Sequence, residues 1–389
     1  MFTTIKEGMA QVKIPEEEKI SKKLPIFYNP VMKFNRDMSV LVLKVLYEKN
    51  KKPLKIGDPL AGTGIRALRF LKELPEGAVE SVWLNDYNPK FKDLVQESLA
   101  GNAIKQEKTS VSLFFAKQDK MRTTEGFTRD VIESAFTAYN RKILFSSIDA
   151  NLFLLLSPGF DYIDIDPFGT PNPFLDASCM RLARNGILAV TATDTSALCG
   201  TYRLACERKY WAKPMHNEIM HEIGLRILIR KVQLVAAQYD KALVPIFSYD
   251  RDHYMRIFFR CDKGKKRVDD IVKQHAMFEY EGQVAGPIWV GQLWDSDIVK
   301  EMVASETDDK NKKFLQLLHD ESKIPIVGFH DIHALCKRHS IKNIPRMDKL
   351  TKNFDKNKIS WSRTHFSLTG LRTTGDVLSL LKQGCKKNS

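Results

Sequence analysis

Between Leu54 and Arg260 the chain repeats one rhythm: a short run of apolar and β-branched residues, a turn, then apolar residues at helical spacing. Leu54–Ile56, Ser81–Leu84, Ile143–Ser147, Tyr162–Ile165 and Ile187–Thr191 read as strands; Ile65–Glu73 and Lys90–Asn102 read as helices. This alternation predicts an α/β fold, a parallel sheet with helices on its faces, because parallel neighbours need a long crossover and a helix supplies it. A long helix is expected over about 217–239. Val244–Ser248 and Tyr254–Arg260 then form a hairpin around Tyr249–His253.

At 389 residues the chain is long for one core, and 43% hydrophobic residues are enough for two. The expected domains are 1–265 and a mixed α+β domain over 266–389, with Lys263–Arg267 as linker. Residues 1–50 form a preface: a hairpin around Glu7–Gly8, a turn-rich stretch from Leu24 to Pro30, and a helix over Met38–Tyr47. An insertion around Gly126–Thr137 interrupts the strand rhythm, and there are no internal repeats. No apolar run approaches the ~18–20 residues of a membrane span, and acids stand where a signal peptide needs an apolar stretch. The expectation is a cytoplasmic protein without a membrane contact. Six scattered cysteines include no C-x-x-C pair, and His216 and His221 are five apart, which suits ordinary helix residues. No metal is expected.

The formal net charge is +14, and residues 323–389 carry 14 Lys/Arg against 4 Asp/Glu. Such a surface attracts phosphate backbones, although it also suits a solvated basic face. Lys342, Arg346, Lys349, Lys352, Lys356, Lys358 and Arg363 are the candidate phosphate contacts. Trp361, His365 and Phe366 lie among them, either to stack on bases or to build a small core.

Asp58-Pro-Leu-Ala-Gly62-Thr63-Gly64 follows the first strand and opens a helix. The glycines permit a sharp turn and close approach to a ligand. A pyrophosphate loop continues to a third glycine, and here that position is Ala67. Asp58 is unwelcome beside pyrophosphate and suits a cofactor with a cationic portion. Asp86 ends the second strand, placed to accept ribose hydroxyls; Asp149 ends the third, placed to accept from an adenine amine. Each acid alone could be a cap.

Tyr162-Ile-Asp164-Ile-Asp166-Pro167-Phe168-Gly169 closes the fourth strand. Amino-directed methyltransferases carry an acid or amide, proline and an aromatic at this place. The chemistry explains it: an exocyclic amine has its lone pair delocalised into the ring. The Asp166 carboxylate and the Pro167 carbonyl can accept from its two N–H groups, and Phe168 offers a stacking face. Asp164 is expected on the opposite side of the strand. With the closing hairpin, the pattern suits a class I S-adenosylmethionine-dependent methyltransferase, Rossmann-like, better than a dehydrogenase.

Phe27-Tyr28-Asn29-Pro30, Asn35-Arg36-Asp37, Asp58 to Arg66, Leu84-Asn85-Asp86, Asp149-Ala150-Asn151, Asp164 to Gly169, Leu198-Cys199-Gly200, Asp252-His253-Tyr254 and Ala285-Gly-Pro-Ile-Trp289 occur in order. Over nearly its whole length the chain resembles the tRNA (guanine-26) N2-dimethyltransferases, particularly the archaeal forms. The resemblance implies that Arg36, Arg66, Asp86, Asp149 and Ala150 line an S-adenosylmethionine site and that Asp166 is catalytic beside Pro167. It also implies that Phe27 and Phe168 sandwich the flipped guanine and that the C-terminal domain grips tRNA, with no obligate protein partner. Many archaeal members carry a cysteine zinc knot before the Ala-Gly-Pro stretch; Gln274–Glu281 leads into it here with no cysteine. An N6-adenine methyltransferase and a non-catalytic tRNA-binding protein are the competing readings.

Overall fold

The computed structural model describes residues 2–16, 27–102, 104, 107–108, 134–138, 141–342 and 344–386. Residues 24–26 of the turn-rich stretch and 126–133 of the insertion lie outside them. Packing divides the chain into two compact units. The first comprises 1–191, 239–241 and 259–263; the second comprises 192–238, 242–258 and 264–389.

The first unit opens with the expected hairpin, β1 (Phe2–Glu7) and β2 (Ala10–Pro15), then α1 (Lys33–Asn50). The rhythm follows: β3 (Leu54–Asp58), α2 (Ile65–Glu73), β4 (Val79–Asn85) and α3 (Phe91–Gly101). β5 (Glu107–Lys108), β6 (Ser134–Ala138) and β7 (Arg141–Ser146) come next, then α4 (Ala150–Leu156), β8 (Phe160–Ile165), α5 (Asn172–Arg181) and β9 (Leu182–Ala192). In this unit the strands of the sheet run in the order β9-β8-β3-β4-β7-β6-β5; β10 (Lys241–Arg251) and β11 (Tyr254–Lys263), which precede β9 in the strand order, have residues 242–258 in the second unit.

The five strands from β9 to β7 pair in parallel, and β5 and β6 continue antiparallel on one edge. β3 has β4 on one side and β8 on the other, so the chain reverses its winding direction there. The crevice beyond the carboxyl ends of such a pair is where doubly wound sheets bind ligands. Every residue of β8 is buried, as a central strand covered on both faces requires. Lys241 secures the far end of this region: its Nζ donates to the carbonyls of Cys179, Met180 and Leu182 at 2.6, 2.9 and 2.7 Å.

The second unit holds α6 (Thr195–Leu198), α7 (Arg203–Tyr210) and α8 (Met220–Ala237). His221 lies on α8, but His216 precedes it, its Nδ1 3.0 Å from the Cys199 carbonyl oxygen. Lys263–Arg267 is not an irregular stretch, although the first unit ends at Lys263 and the second resumes at Gly264. β11 runs to Lys263, and α9 (Lys265–Val272) starts after Gly264, whose φ of 138° makes the bend. Val268 and Ile271, one turn apart, supply a buried stripe that the basic run concealed. β12 (His275–Tyr280) pairs with β13 (Gln283–Trp289). α10 (Ser296–Ser305) and α11 (Asp309–Ser322) follow, capped by Asp295 and Asp308. The chain continues through β14 (His330–Asp331), α12 (Ile332–Arg338), α13 (Met347–Lys356), β15 (Trp361–Thr364), β16 (Ser367–Thr373) and α14 (Val377–Lys386). Strands in the order β14-β16-β15 and helices α12–α14 enclose a core around Leu335, Leu350, Phe354 and Leu371.

A chain of buried charges runs through this unit. Glu222 Oε1 accepts from Arg226 Nε at 2.9 Å, and its Oε2 accepts from Arg372 Nη2 at 2.7 Å. Arg372 Nε reaches Glu321 Oε2 at 3.3 Å, and Glu321 Oε1 lies 2.6 Å from His365 Nδ1. Burial alone would raise the Glu222 carboxyl, but Arg372 and Arg226 outweigh it and hold it at about 2. The His365 side chain therefore belongs to the interior, spent on Glu321, and Phe366, half-buried, stacks on Phe329 at 6.1 Å. Trp361 packs on the small core, its Nε1 donating to Asp355 Oδ1 at 2.8 Å.

Candidate active site

The turn after β3 is built by its glycines. Gly62 and Gly64 adopt φ of 55° and 71°, where a side chain costs ~1–2 kcal/mol. A Cβ on Gly62 would lie 2.9 Å from the Phe27 carbonyl oxygen, and one on Gly64 2.7 Å from Val95. The loop thus lies directly beneath the Phe27 backbone. Asp86 closes it, its Oδ2 accepting from Gly62 N at 2.8 Å and its Oδ1 from Asn88 N at 3.0 Å. Burial raises the Asp86 carboxyl, opposed by those two bonds. Asp149 stands at the expected strand end as the N-cap of α4, and both capping bonds, from Asn151 and Leu152, fall on its Oδ1. Ala150 is buried behind it.

Asn85 joins these strand ends, and the sequence reading gave it no role. Its Oδ1 accepts from Ser146 Oγ at 2.8 Å and from Ile148 N at 3.1 Å. Its Nδ2 donates to the carbonyls of Pro59 and Ile148 at 3.1 and 2.9 Å. One buried amide therefore ties the loops after β3 and β7 to the end of β4. The signal was available as an amide directly after the apolar run Val82–Leu84.

Three carboxylates gather on Arg66. Its Nη2 donates to Asp166 Oδ2 at 2.5 Å, and its Nη1 lies 3.3 Å from Asp164 Oδ2. Nη1 also donates to Asn35 Oδ1 and Ser39 Oγ, both at 2.9 Å. Asp164 does not face the opposite side from Asp166. Two residues apart on extended backbone, they point the same way and share one arginine, and Asp164 also accepts from Tyr162 Oη at 2.5 Å. Asp58 is the third acid. Burial, then Asp164, raises its carboxyl to about 7, Arg66 opposing and Asp166 adding to the rise.

Three acids face one guanidinium, so the crevice carries surplus negative charge. The Thr63 hydroxyl beside it is buried and, among the described residues, has no partner. These donors fit a cationic ligand with a polar tail. The Asp58 shift also sets a pH dependence. Its folded carboxyl keeps a proton to about pH 7, whereas the unfolded chain releases it near 3.8. The folded state binds more protons across that window, so this stability is complete below about 4 and is lost as pH rises through about 7. Asp58→Asn should flatten the melting temperature of the ligand-free protein between pH 4 and 7; an undiminished slope would assign it to another group.

Arg36 is spent on the N-terminal hairpin. Its Nε and Nη2 donate to Glu7 Oε1 and Oε2 at 2.7 and 2.6 Å, and Nη2 reaches the Asn29 carbonyl at 3.1 Å. Tyr28 Oη donates to the same Glu7 at 3.0 Å. Glu7, read in the sequence only as part of a hairpin turn, thus anchors the Phe27–Asn29 loop over Gly62. Phe27 and Phe168 meet edge to face with centroids 4.3 Å apart, not as parallel walls with a gap. Stacking a base between them requires one ring to swing away. Phe168, at 46% exposure, is the freer of the two. Pro167, partly exposed, follows Asp166.

The C-terminal cations are dispersed differently. Lys342, Arg346, Lys349, Lys352, Lys356 and Lys358 are exposed, and Lys349, Lys352 and Lys356 share the outer face of α13 opposite Leu350 and Phe354. Arg346 pairs with Asp348 at 3.2 Å. Arg363 is half-buried and donates to the Leu368 carbonyl of its own hairpin, which sets it apart from this surface.

A switch-point crevice with acids at successive strand ends, and Asp-Pro-Phe closing the strand beside the glycine turn, is the arrangement of a class I methyltransferase. The profile of the N2,N2-dimethylguanosine tRNA methyltransferase family matches residues 8–281 and 273–383, and the chain belongs to that family. It is 35% identical to the tRNA (guanine(26)-N(2))-dimethyltransferase of Thermococcus kodakarensis, over 96% of each chain. It is 33% identical to the tRNA (guanine(26)-N(2)/guanine(27)-N(2))-dimethyltransferase of Aquifex aeolicus, over 97% of this chain and 95% of that one. The solved structure of Trm1 from Pyrococcus horikoshii with S-adenosyl-L-methionine superposes with a TM-score of 0.82 at 29% identity, covering 98% of this chain and 99% of that one.

Proposed function

We propose that this protein dimethylates the exocyclic N2 of guanine 26 in tRNA with S-adenosylmethionine as donor, acting in the cytoplasm without an obligate protein partner. The observation that carries the reading is Asp166, held by Arg66 at the mouth of the crevice and followed by Pro167 and the exposed Phe168. When bound, S-adenosylmethionine supplies a methyl group on a cationic sulfur. Asp58, the Gly62–Gly64 turn, Asp86, Asp149 and Ala150 would hold it, and the surplus acid charge suits its cationic portion.

The guanine amine needs its two N–H groups held so that its lone pair points at the methyl carbon. Asp166 and the Pro167 carbonyl accept them, and Phe168, with Phe27, stacks the extruded ring. Extrusion costs a few kcal/mol, and aromatic stacking returns ~1–3 kcal/mol per face. As the N–C bond formed and the methyl–sulfur bond broke with its electron pair left on sulfur, positive charge would grow on the amine nitrogen against the Asp166 carboxylate, and the N–H proton would then pass to solvent. Arg66 acts as a positioning group: bound to both aspartates and braced by Asn35 and Ser39, it fixes where the carboxylate points.

Unmodified tRNA transcript incubated with labelled S-adenosylmethionine should yield N2,N2-dimethylguanosine, mapped to position 26 by mass spectrometry. Position 27 needs the same inspection, given the name of the Aquifex relative. Methyladenosine in place of methylguanosine would overturn the reading for an adenine enzyme, and binding without transfer would favour the non-catalytic alternative.

The grip on tRNA falls to residues 266–389, with Lys342, Arg346, Lys352, Lys356 and Lys358 as phosphate contacts; Arg363, turned to its hairpin, contributes less. Reversing Lys352 and Lys356 to Glu should weaken tRNA binding and make the dependence of log K on log salt shallower by about two phosphate contacts. An unchanged slope would remove them from the interface.

A further inference from the structure

The segment from Gly200 to Lys213 carries groups that neither the methyl-transfer site nor the C-terminal lysines use. α7 buries Cys206 and Tyr210 and leaves Leu204 and Arg208 outside. With Trp211, which caps the helix, they recur at i, i+4 and i+7 and form one outward stripe. Trp211 is 53% exposed, an unusual position for a large aromatic ring.

The ring is fixed there. Trp211 has a φ of 56°, a left-handed conformation that costs a bulky residue ~1–2 kcal/mol. Its N–H donates to the Glu207 carbonyl at 3.1 Å, and its carbonyl accepts from Arg230 Nη1 at 3.1 Å. Lys231 lies beneath one indole face with Nζ 3.0 Å from a ring centroid. Lys213 is pinned just beyond by two backbone hydrogen bonds with Gly286, each 2.8 Å. Arg203 and Lys209 on the same segment are paired, with Glu207 and Asp194; Arg208 and Lys213 enter no ion pair among the described residues. The indole is thus a fixed platform, half exposed, with a cation beneath one face, Arg208 one turn before it and Lys213 two residues beyond.

We propose that Trp211 is an RNA-stacking platform, on which an unpaired tRNA base lies against the exposed indole while Arg208 and Lys213 take the flanking phosphates. The inference rests on the tRNA reading above. A ring with Lys231 on one face, Arg230 on its carbonyl and Arg208 and Lys213 close to it in sequence suits a ligand that combines a π face with anions, and an RNA strand offers both in each nucleotide. A protein partner would have to meet the same cations with acids around an apolar centre. Burial and the nearby Arg230 hold the Lys231 ammonium down at about 8, in keeping with positive charge crowded ahead of an anionic ligand.

The test is tRNA binding at several salt concentrations for the full-length wild type, W211A, W211F and R208E/K213E. W211A should bind about tenfold more weakly and W211F within about twofold of wild type, as stacking predicts. R208E/K213E, which changes an exposed and a half-buried cation and leaves the ring in place, should bind more weakly with a shallower salt slope, and tests the proposal even if W211A misfolds. Iodide should quench a component of the wild-type emission that W211F lacks, and tRNA should protect that component. Wild-type affinity in W211A, or an unchanged slope in R208E/K213E, overturns the platform. So does protection that arises on concentrating the protein without tRNA, which would mark a protein contact. A wild type that binds no tRNA would instead sink the functional reading itself.

Discussion

Asp166→Asn is expected to lower the rate of methyl transfer to tRNA by on the order of 10²–10³, while the affinity for tRNA stays within a few-fold. The size follows from what is removed: a charge set where positive charge develops, at a site with little water to replace it. Asparagine keeps the shape and one accepting oxygen, so the loss isolates the electrostatic part. Asp166→Ala removes the second acceptor as well and should leave no measurable transfer. Neither change should unfold the protein, because Arg66 retains Asp164, Asn35 and Ser39. Single-turnover kinetics with saturating enzyme separates the chemical step from product release. Normal turnover in Asp166→Ala would show that another group accepts from the amine.

Removing Arg372 should have the largest effect on stability. Arg372→Ala would leave Glu222 and Glu321 charged, fully buried and stripped of a shared partner, since both depend on this guanidinium. Breaking a buried pair from one side typically costs ~3–5 kcal/mol, much of it the penalty of the uncompensated charge. Glu222→Gln should cost less, because the amide still accepts hydrogen bonds and Arg372 keeps Glu321. Urea unfolding followed by far-ultraviolet circular dichroism would report both. A loss below about 1 kcal/mol for Arg372→Ala would mean that water reaches the cluster.

The sequence was most legible where one physical rule decides. Ile65–Glu73 is helical as expected, because the glycine turn starts it and an amphipathic pattern sustains it. The strands of the alternating stretch were found but drawn short: β9 begins at Leu182 and β10 at Lys241, before the apolar runs that announced them, because sheet pairing extends past the hydrophobic centre; β5, β6 and the short strands after residue 274 were not read. Lys263–Arg267 misled because composition outweighed spacing. Asp164 was misjudged although strand geometry alone puts residues two apart on one face.

Partnerships were the illegible part. Arg36 and Arg66 both sit in quoted motifs, yet nothing in the chain tells that one turns to Glu7, 29 residues upstream, and the other to Asp166, 100 residues downstream. Such pairings depend on which elements the sheet order makes neighbours. The aromatics near the C-terminus show the same limit: Phe366 and His365 alternate with basic residues as a nucleic-acid surface would, but a buried glutamate from a distant helix claims the histidine.

The interior salt-bridge chain bears on how such a protein can be dissected and how it evolves. Glu222 and Arg226 come from the long helix over Met220–Ala237, whereas Glu321 and Arg372 come from the last third of the polypeptide. A fragment severed at residue 265 would break the Glu222–Arg372 pair, leaving each partner buried without the other, and could not serve as a transplantable RNA-gripping cassette. Lineages that exchange this end of the protein must replace that helix along with it, so recombination breakpoints should fall ahead of residue 220 and not at the apparent seam in the sequence.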